Sequence, residues 1–148
     1  MAVKPVPDGY ETITPYFVVN GAEKFIEFAK RAFGAKEVFR ANMPDGSIMH
    51  VELQIGSSKI MLGQASERWK PETCALYLYV PDVDSVYKKA VEAGAKSIME
   101  PADMFYGDRS SGVLDPFGNH WWIATHIKDV SPEELERHIH DHTKQPTT

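Results

Sequence analysis

With 148 residues, 43% of them hydrophobic and 25% charged, the chain can bury one sizeable core but is short for two independent domains. Its formal net charge of −5 offers no basic surface that would neutralise phosphates, which argues against nucleic-acid binding. The single cysteine, Cys74, cannot form an internal disulfide, and no apolar run approaches the roughly 20 residues that cross a membrane, so we expect a cytoplasmic protein with no membrane partner.

The first half of the chain predicts one helix among four strands. Residues 12–19 are rich in β-branched and aromatic side chains and predict a strand, with Pro15 at an edge or a bulge. Asn20 is placed to cap a helix whose apolar residues recur at helical spacing, and Gly34 ends it. Alternating segments then predict three strands, at residues 36–40, 48–55 and 59–62. Residues 10–63 therefore form a βαβββ unit.

The second half repeats this order after a linker at residues 64–72. A strand at residues 74–80 precedes a helix that begins at Asp82 and ends at Gly94. Further strands are predicted at residues 96–99, 110–114 and 119–125. Residues 73–127 thus form a second βαβββ unit.

Two local signals support this organisation. The helix exit Gly34-Ala-Lys recurs as Gly94-Ala-Lys, as an internal repeat requires. Beyond the second unit, Ser131 is followed by Pro-Glu-Glu, which is typical of a helix start and predicts a short C-terminal helix at residues 131–143.

The segment from Gly107 to His126, with the sequence GDRSSGVLDPFGNHWWIATH, is the most specific stretch of the chain. Together with the paired units it resembles the vicinal oxygen chelate superfamily, in particular its glyoxalase, bleomycin-resistance and dioxygenase group and the PhnB-like branch. The resemblance covers about residues 10–127. It implies an α+β fold in which two half-barrels enclose a cavity, with residues 1–148 forming one domain. It also implies a homodimer that binds a small-molecule ligand.

Metal-dependent members of that superfamily hold a divalent ion with four ligands at matching points of the two units. Alignment with the family pattern places these positions at Thr14, Glu52, Ala75 and Trp122. Only Glu52 is an ordinary metal ligand, so the resemblance implies a degenerate metal site. A shift of two residues would bring in His50 or His120 instead, so a bound divalent metal stays an open alternative.

Period-two alternation predicts which side chains line the cavity. The candidate ligand-binding residues are aromatic or polar: Thr14, Tyr16, His50, Glu52, Gln54, Tyr77, Tyr79, Arg109, His120 and Trp122. His50 and Glu52 share a strand face and are the candidate catalytic residues, as a proton-transfer pair or as two ligands of one ion. A plain hydrogen-bonded pair is the alternative. Arg109, expected in a loop with Asp108, either meets an anionic group or forms a surface pair with the aspartate.

Two motifs are interpreted as structural or incidental. Asp115-Pro-Phe-Gly118 predicts a tight turn, with Phe117 at a dimer interface. His138, His140 and His142 lie near the end of the chain. Of these, His138 and His142 share a helix face but lack a third fixed donor, which favours weak, adventitious metal binding.

Four functions agree with these features. The favoured one is a small-molecule-binding protein of the glyoxalase and bleomycin-resistance type, with an aromatic cavity and a degenerate metal site. The alternative is a metal-dependent lyase, isomerase or dioxygenase that uses Glu52 with His50 or His120. Metal-free catalysis, with Glu52 as the base, and a regulatory role through the surface also stay open.

Overall fold

The computed structural model describes the backbone of residues 2–143 and the side chains of residues 2–141. The first unit consists of β1 (Tyr16–Val19), α1 (Ala22–Phe33), β2 (Lys36–Asn42), β3 (Ile48–Ile55) and β4 (Ser58–Gln64). The second unit consists of β5 (Ala75–Tyr79), α2 (Val83–Glu92), β6 (Lys96–Asp103), β7 (Asp108–Leu114) and β8 (His120–His126). A short helix, α3 (Pro132–Thr143), follows. This order confirms the predicted α+β fold of paired βαβββ units with a C-terminal helix.

Each unit folds into its own open, four-stranded mixed sheet. The strand orders are β1-β4-β3-β2 and β5-β8-β7-β6, so the two sheets have the same topology. In each sheet the first strand runs parallel to the last strand of its unit, and the other neighbours are antiparallel. The parallel pairing requires the crossover that α1 and α2 provide.

One hydrophobic core joins the two units. Alternation turns Phe17, Val51 and Leu53 of the first sheet and Trp121 of the second sheet towards the helices, where all four are at most 1% exposed. The Phe17 and Trp121 rings stack at a centroid distance of 5.8 Å. Burying side chains of this size stabilises the fold by roughly 1.5–3 kcal/mol each. Among the described helices, none is long and apolar enough to cross a membrane.

The turn at Asp115-Pro-Phe-Gly118 also contributes to this core. The Phe117 ring packs against Phe25 and Phe28 of α1, at centroid distances of 5.5 and 6.5 Å. The prediction of a tight turn is confirmed, because the Gly118 N–H donates to the Asp115 carbonyl. Phe117 thus packs on α1 within the chain, and its predicted place at a dimer interface stays a prediction.

The two units share the way in which the last strand holds the helix. The backbone N–H of Ala22, at the start of α1, donates to Gln64 Oε1, and that of Val83, at the start of α2, donates to Thr125 Oγ1, both at 2.9 Å. Each side chain satisfies a helix N–H that has no partner within the helix. The prediction that Asn20 caps α1 is wrong. The cap residue is Gly21, with φ of 82°, and glycine has no side chain that could bond the start of the helix.

Two prolines explain where strand boundaries differ from the prediction. β1 begins at Tyr16 and not at residue 12, since Pro15 has no N–H for the sheet and only its carbonyl bonds, to Met61. β6 continues through Pro101 to Asp103, beyond the predicted end at residue 99. It tolerates the proline because β6 is an edge strand whose register shifts between Met99 and Ala102.

Candidate functional site

The side of each sheet that faces away from α1 and α2 carries the polar and aromatic candidates, and we call it the open face. On the first open face lie Tyr16, Phe39, His50, Glu52 and Met61, and on the second lie Tyr77, Tyr79, Asp108, Ser110, Trp122 and His126. Four aromatic rings stay well exposed there: Tyr16 (46%), Phe39 (51%), Tyr77 (44%) and Tyr79 (62%). The sheets therefore turn aromatic surface outwards on the side that the helices leave uncovered.

The first open face centres on the Glu52 carboxylate. Glu52 Oε1 lies 3.5 Å from His50 Nε2, and the other ring nitrogen of His50 lies 3.3 Å from the Tyr16 hydroxyl. The Tyr10 hydroxyl donates to Glu52 Oε2 at 2.7 Å, and this bond to a carboxylate raises the pKa of Tyr10. Lys59 Nζ lies 4.5 Å from the centre of the Tyr10 ring. The segment before β1 thus reaches over the sheet and occupies one oxygen of Glu52.

The second open face centres on a buried carboxylate that the sequence analysis did not select. Asp108, 3% exposed, accepts hydrogen bonds from the Tyr77 and Tyr79 hydroxyls on the same oxygen, Oδ2, at 2.8 and 2.9 Å. Its other oxygen lies 2.8 Å from His126 Nδ1, and His126 Nε2 lies 2.7 Å from Asp129. We call these five residues the Asp108 network. No sequence motif signals it, since its members lie on β5, β7 and β8 and in the loop after β8.

Ionisation in the Asp108 network follows from these contacts. Burial alone would raise the pKa of Asp108, but the hydrogen bonds from His126, Tyr77 and Tyr79 outweigh it and lower the pKa below its usual value. The carboxylates of Asp129 and Asp108 raise the pKa of His126. Burial raises the pKa of Tyr77, a contact with Ser110 opposes this, and the bond to Asp108 adds to the rise. At neutral pH the network therefore holds an ionised aspartate beneath two protonated phenols.

His120 and Trp122 lie side by side on β8, where their rings are 4.1 Å apart. The indole of Trp122 crosses Gly112 on β7 so closely that a Cβ at residue 112 would lie 2.8 Å from the ring. His120 Nε2 is buried and has no hydrogen-bond partner among the described residues. Glycine at position 112 therefore lets Trp122 lie flat against the second sheet.

Three of the predicted ligand-binding residues lie apart from these groups. Arg109 was expected in a loop but is the second residue of β7. Its side chain lies on the opposite side of the sheet from Asp108, and its guanidinium donates to Asp84 and Asp103 at 2.9–3.0 Å. Gln54 donates to the Gly56 carbonyl at the end of β3. Thr14 lines a cavity of about 380 Å³ between the segment before β1, the β3–β4 hairpin and β5. We call it the junction cavity, and Tyr77 borders it as well as the second open face.

The register of the two sheets tests the expected metal site. Tyr16 pairs with Met61 and Tyr77 with Trp122, so positions 61 residues apart are equivalent and Trp122 corresponds to Met61. Glu52 lies on the neighbouring strand β3, where it pairs with Met61. In the second sheet Gly112 pairs with Trp122 in the same way, so Glu52 corresponds to Gly112. Our alignment of Glu52 with Trp122 therefore joined strands that are not equivalent.

The corrected set of four positions does not fit a divalent cation. It consists of Thr14, Met61, Ala75 and Trp122, which offer a hydroxyl, a thioether and no further donor. Among the described side chains there is no group of three or more His, Cys, Asp or Glu residues that could hold a metal ion. In α3, the His138 ring stacks on Phe105 at 6.0 Å, and the side chain of His142 lies outside the described residues.

The fold and the sequence together define the class of protein. Residues 12–123 match the model of the Glyoxalase/Bleomycin resistance protein/Dioxygenase superfamily, and the chain belongs to that superfamily. An uncharacterised protein of Mycobacterium tuberculosis strain H37Rv is 31% identical over 139 residues, which cover 84% of this chain and 79% of that protein. The predicted family is therefore confirmed.

Solved structures show the same fold at lower identity. TioX from Micromonospora sp. ML1 has a TM-score of 0.68 and 21% identity, and the match covers 79% of this chain and 99% of TioX. A PhnB protein from Bacillus cereus has a TM-score of 0.63 and 16% identity, with 78% and 99% of the two chains covered. The fold is thus shared with the PhnB-like proteins that the sequence resembles.

Proposed function

We propose that this protein binds a small organic molecule on the open faces of its sheets and that a second copy of the chain completes the binding site. The observation that carries the proposal is the set of four aromatic rings, between 44% and 62% exposed, on the side of the sheets that the helices leave uncovered. Exposed apolar surface rimmed by polar groups marks ligand or partner sites in soluble proteins. The cytoplasmic location expected from the sequence is part of the same proposal.

The polar groups beside these rings support binding of an organic ligand. His50 and Glu52 on the first open face, and the phenols of Tyr77 and Tyr79 on the second, are placed to orient a ligand that stacks on the aromatic side chains. The residues at the family's metal positions supply no donor set for a divalent ion, so we do not propose the metal-dependent enzyme. Sequestration of a ligand requires neither a metal nor a proton transfer.

The homodimer follows from the open sheets. Each sheet has only four strands and is not closed, and in the described part of the chain no helix covers its open face as α1 and α2 cover the other side. Two half-barrels from two chains, facing one another, would bury the exposed rings around a ligand. Native mass spectrometry of untagged protein tests this arrangement, and a monomer at micromolar concentration would contradict it.

Binding itself is tested with Nile red, a neutral dye whose fluorescence rises in apolar sites. We expect enhancement with the wild-type protein and its loss when Tyr77 and Tyr79 are both replaced by serine. The matched control is Trp69→Ser, because Trp69 is 61% exposed but lies in the segment between the two units, outside the strands of both sheets. Equal loss in the control, or no enhancement with any form of the protein, would contradict the proposed function.

A further inference from the structure

The direction of the hydrogen bonds in the Asp108 network limits what a ligand can do there. The hydroxyl protons of Tyr77 and Tyr79 both point to Asp108 Oδ2, at 2.8 and 2.9 Å. A phenol has one proton to donate, so each oxygen has only acceptor capacity left for a ligand. Because the ionised carboxylate polarises both phenols, these acceptors are stronger than those of free tyrosine.

A buried hydroxyl lies beside these two phenols. Ser110 is 1% exposed, and its Oγ lies close enough to the Tyr77 hydroxyl to oppose the rise of the Tyr77 pKa. The register puts Tyr79, Ala124 and Ser110 in one row across β5, β8 and β7, so Ser110 faces the same side as Tyr79. This hydroxyl therefore offers a ligand one more hydrogen-bonding group beside the two phenols.

The charges around the network disfavour an anion. The nearest guanidinium along β7, that of Arg109, lies on the other side of the sheet and is bound by two carboxylates. The imidazole of His126 lies between Asp108 and Asp129, so two carboxylates contact this one ring. The rings of Tyr77 and Tyr79, with centroids 5.2 Å apart and planes inclined at 58°, form an exposed corner above the buried carboxylate.

An ammonium group fits this corner. It carries positive charge, it donates hydrogen bonds to the phenol oxygens, and it binds the faces of aromatic rings. We propose that Tyr77, Tyr79, Ser110 and Asp108 form a subsite for the amine or ammonium group of an aromatic ligand. This inference rests on the proposed function and adds the chemical class of the ligand. On the first open face, Glu52 lies beside His50 and accepts from Tyr10, and the described residues form no such corner of two phenols on one carboxylate.

Three probes with one phenyl ring and different head groups test the inference by isothermal titration calorimetry. They are 2-phenylethylamine, 3-phenylpropan-1-ol and 3-phenylpropionate, which are cationic, neutral and anionic at pH 7. We expect the amine to bind about tenfold more tightly than the acid, with the alcohol in between. Equal or tighter binding of the acid would overturn the inference and leave the proposed function standing.

Matched variants locate the effect. Tyr79→Phe keeps the ring and removes one acceptor, so the affinity for the amine should fall several-fold while that for the alcohol changes little. Tyr87→Phe, the same change on α2, where the hydroxyl donates to Ser97, should leave both affinities unaltered. Circular dichroism establishes that each variant is folded. An unchanged amine affinity in Tyr79→Phe, or an equal loss in Tyr87→Phe, would contradict the subsite, and failure of every probe together with Nile red would contradict the proposed function itself.

Discussion

The two open faces hold their carboxylates in different ways. Glu52 is held partly from outside its sheet, because Tyr10 reaches it from a segment 42 residues earlier in the chain. Asp108 is buried beneath Tyr77 and Tyr79, and these partners are strand residues of its own sheet. The first carboxylate can therefore be uncovered when one peripheral segment moves, whereas the second is fixed by the sheet. The common fold thus supports one adjustable open face and one rigid open face.

The largest effect is expected at the turn that distinguishes the second unit. Asp115 is 3% exposed and accepts four hydrogen bonds of 2.8–2.9 Å, from two backbone N–H groups and from the Asn119 and Trp121 side chains. Asp115→Ala leaves these donors without an acceptor and should lower the free energy of unfolding by about 3 kcal/mol or more. The equivalent turn of the first unit offers the control Ser57→Ala, expected within about 0.5 kcal/mol. Urea denaturation measures both, and similar values would contradict this difference between the units.

A direct comparison of the two carboxylates should give the next largest effect. Asp108→Asn weakens three hydrogen bonds at a buried position and should destabilise the fold by roughly 1–3 kcal/mol. Glu52→Gln, at a side chain that is 14% exposed and keeps one acceptor oxygen, should cost less than about 1 kcal/mol. Thermal unfolding of both variants checks the order, and a larger cost for Glu52→Gln would reverse our assignment of the rigid face.

The adjustable face predicts a smaller, local effect. Tyr10→Phe removes the bond to Glu52 and should cost about 0.5–1.5 kcal/mol at most. Amide hydrogen exchange should accelerate in the segment before β1 and stay unchanged in β5 and β8. Tyr79→Phe is the counterpart on the rigid face. If Tyr10→Phe also accelerated exchange in β8, the first open face would not be independently mobile.

The smallest effect concerns pH. The folded-state pKa of His126 is raised above its ordinary value of about 6.5. Protonated His126 therefore stabilises the fold fully below pH 6.5, and this contribution is lost as the pH rises through the raised pKa. The stability difference between wild type and His126→Asn should shrink from pH 6 to pH 9. Melting temperatures across this range measure it, and a difference that grows with pH would contradict the contact with Asp108 and Asp129.

Much of the fold could be predicted because the helix-facing side of each sheet is encoded by local pattern. Val51, Leu53 and Ile55 alternate with His50, Glu52 and Gln54, and alternation alone assigns each set to its side of the sheet. Gly34 and Gly94 are local signals of the same kind, because a glycine just after a helix marks its end. These signals determined the paired units and most of the residues that lie on the open faces.

The Asp108 network could not be predicted, because its contacts join distant parts of the chain. Asp108 follows Tyr106-Gly107, which indicated a loop, and its tyrosine partners precede it by 31 and 29 residues. His126 lies one residue beyond the predicted end of its strand. The mistaken equivalence of Glu52 with Trp122 has a similar cause. Apolar and polar residues alternate in both β3 and β4, so only the pairing of the strands shows which of them corresponds to β8.

The central claim is that ligands bind the open faces and not the junction cavity, and ¹H–¹⁵N chemical-shift mapping with 3-phenylpropan-1-ol tests it directly. The probe is neutral, so the result does not depend on the proposed ammonium subsite. We predict that the largest shifts occur at Tyr79, Ser110 and Ala124 on the second open face. Shifts confined to residues that line the junction cavity, such as Ile13, Ser57 and Leu76, would contradict the account.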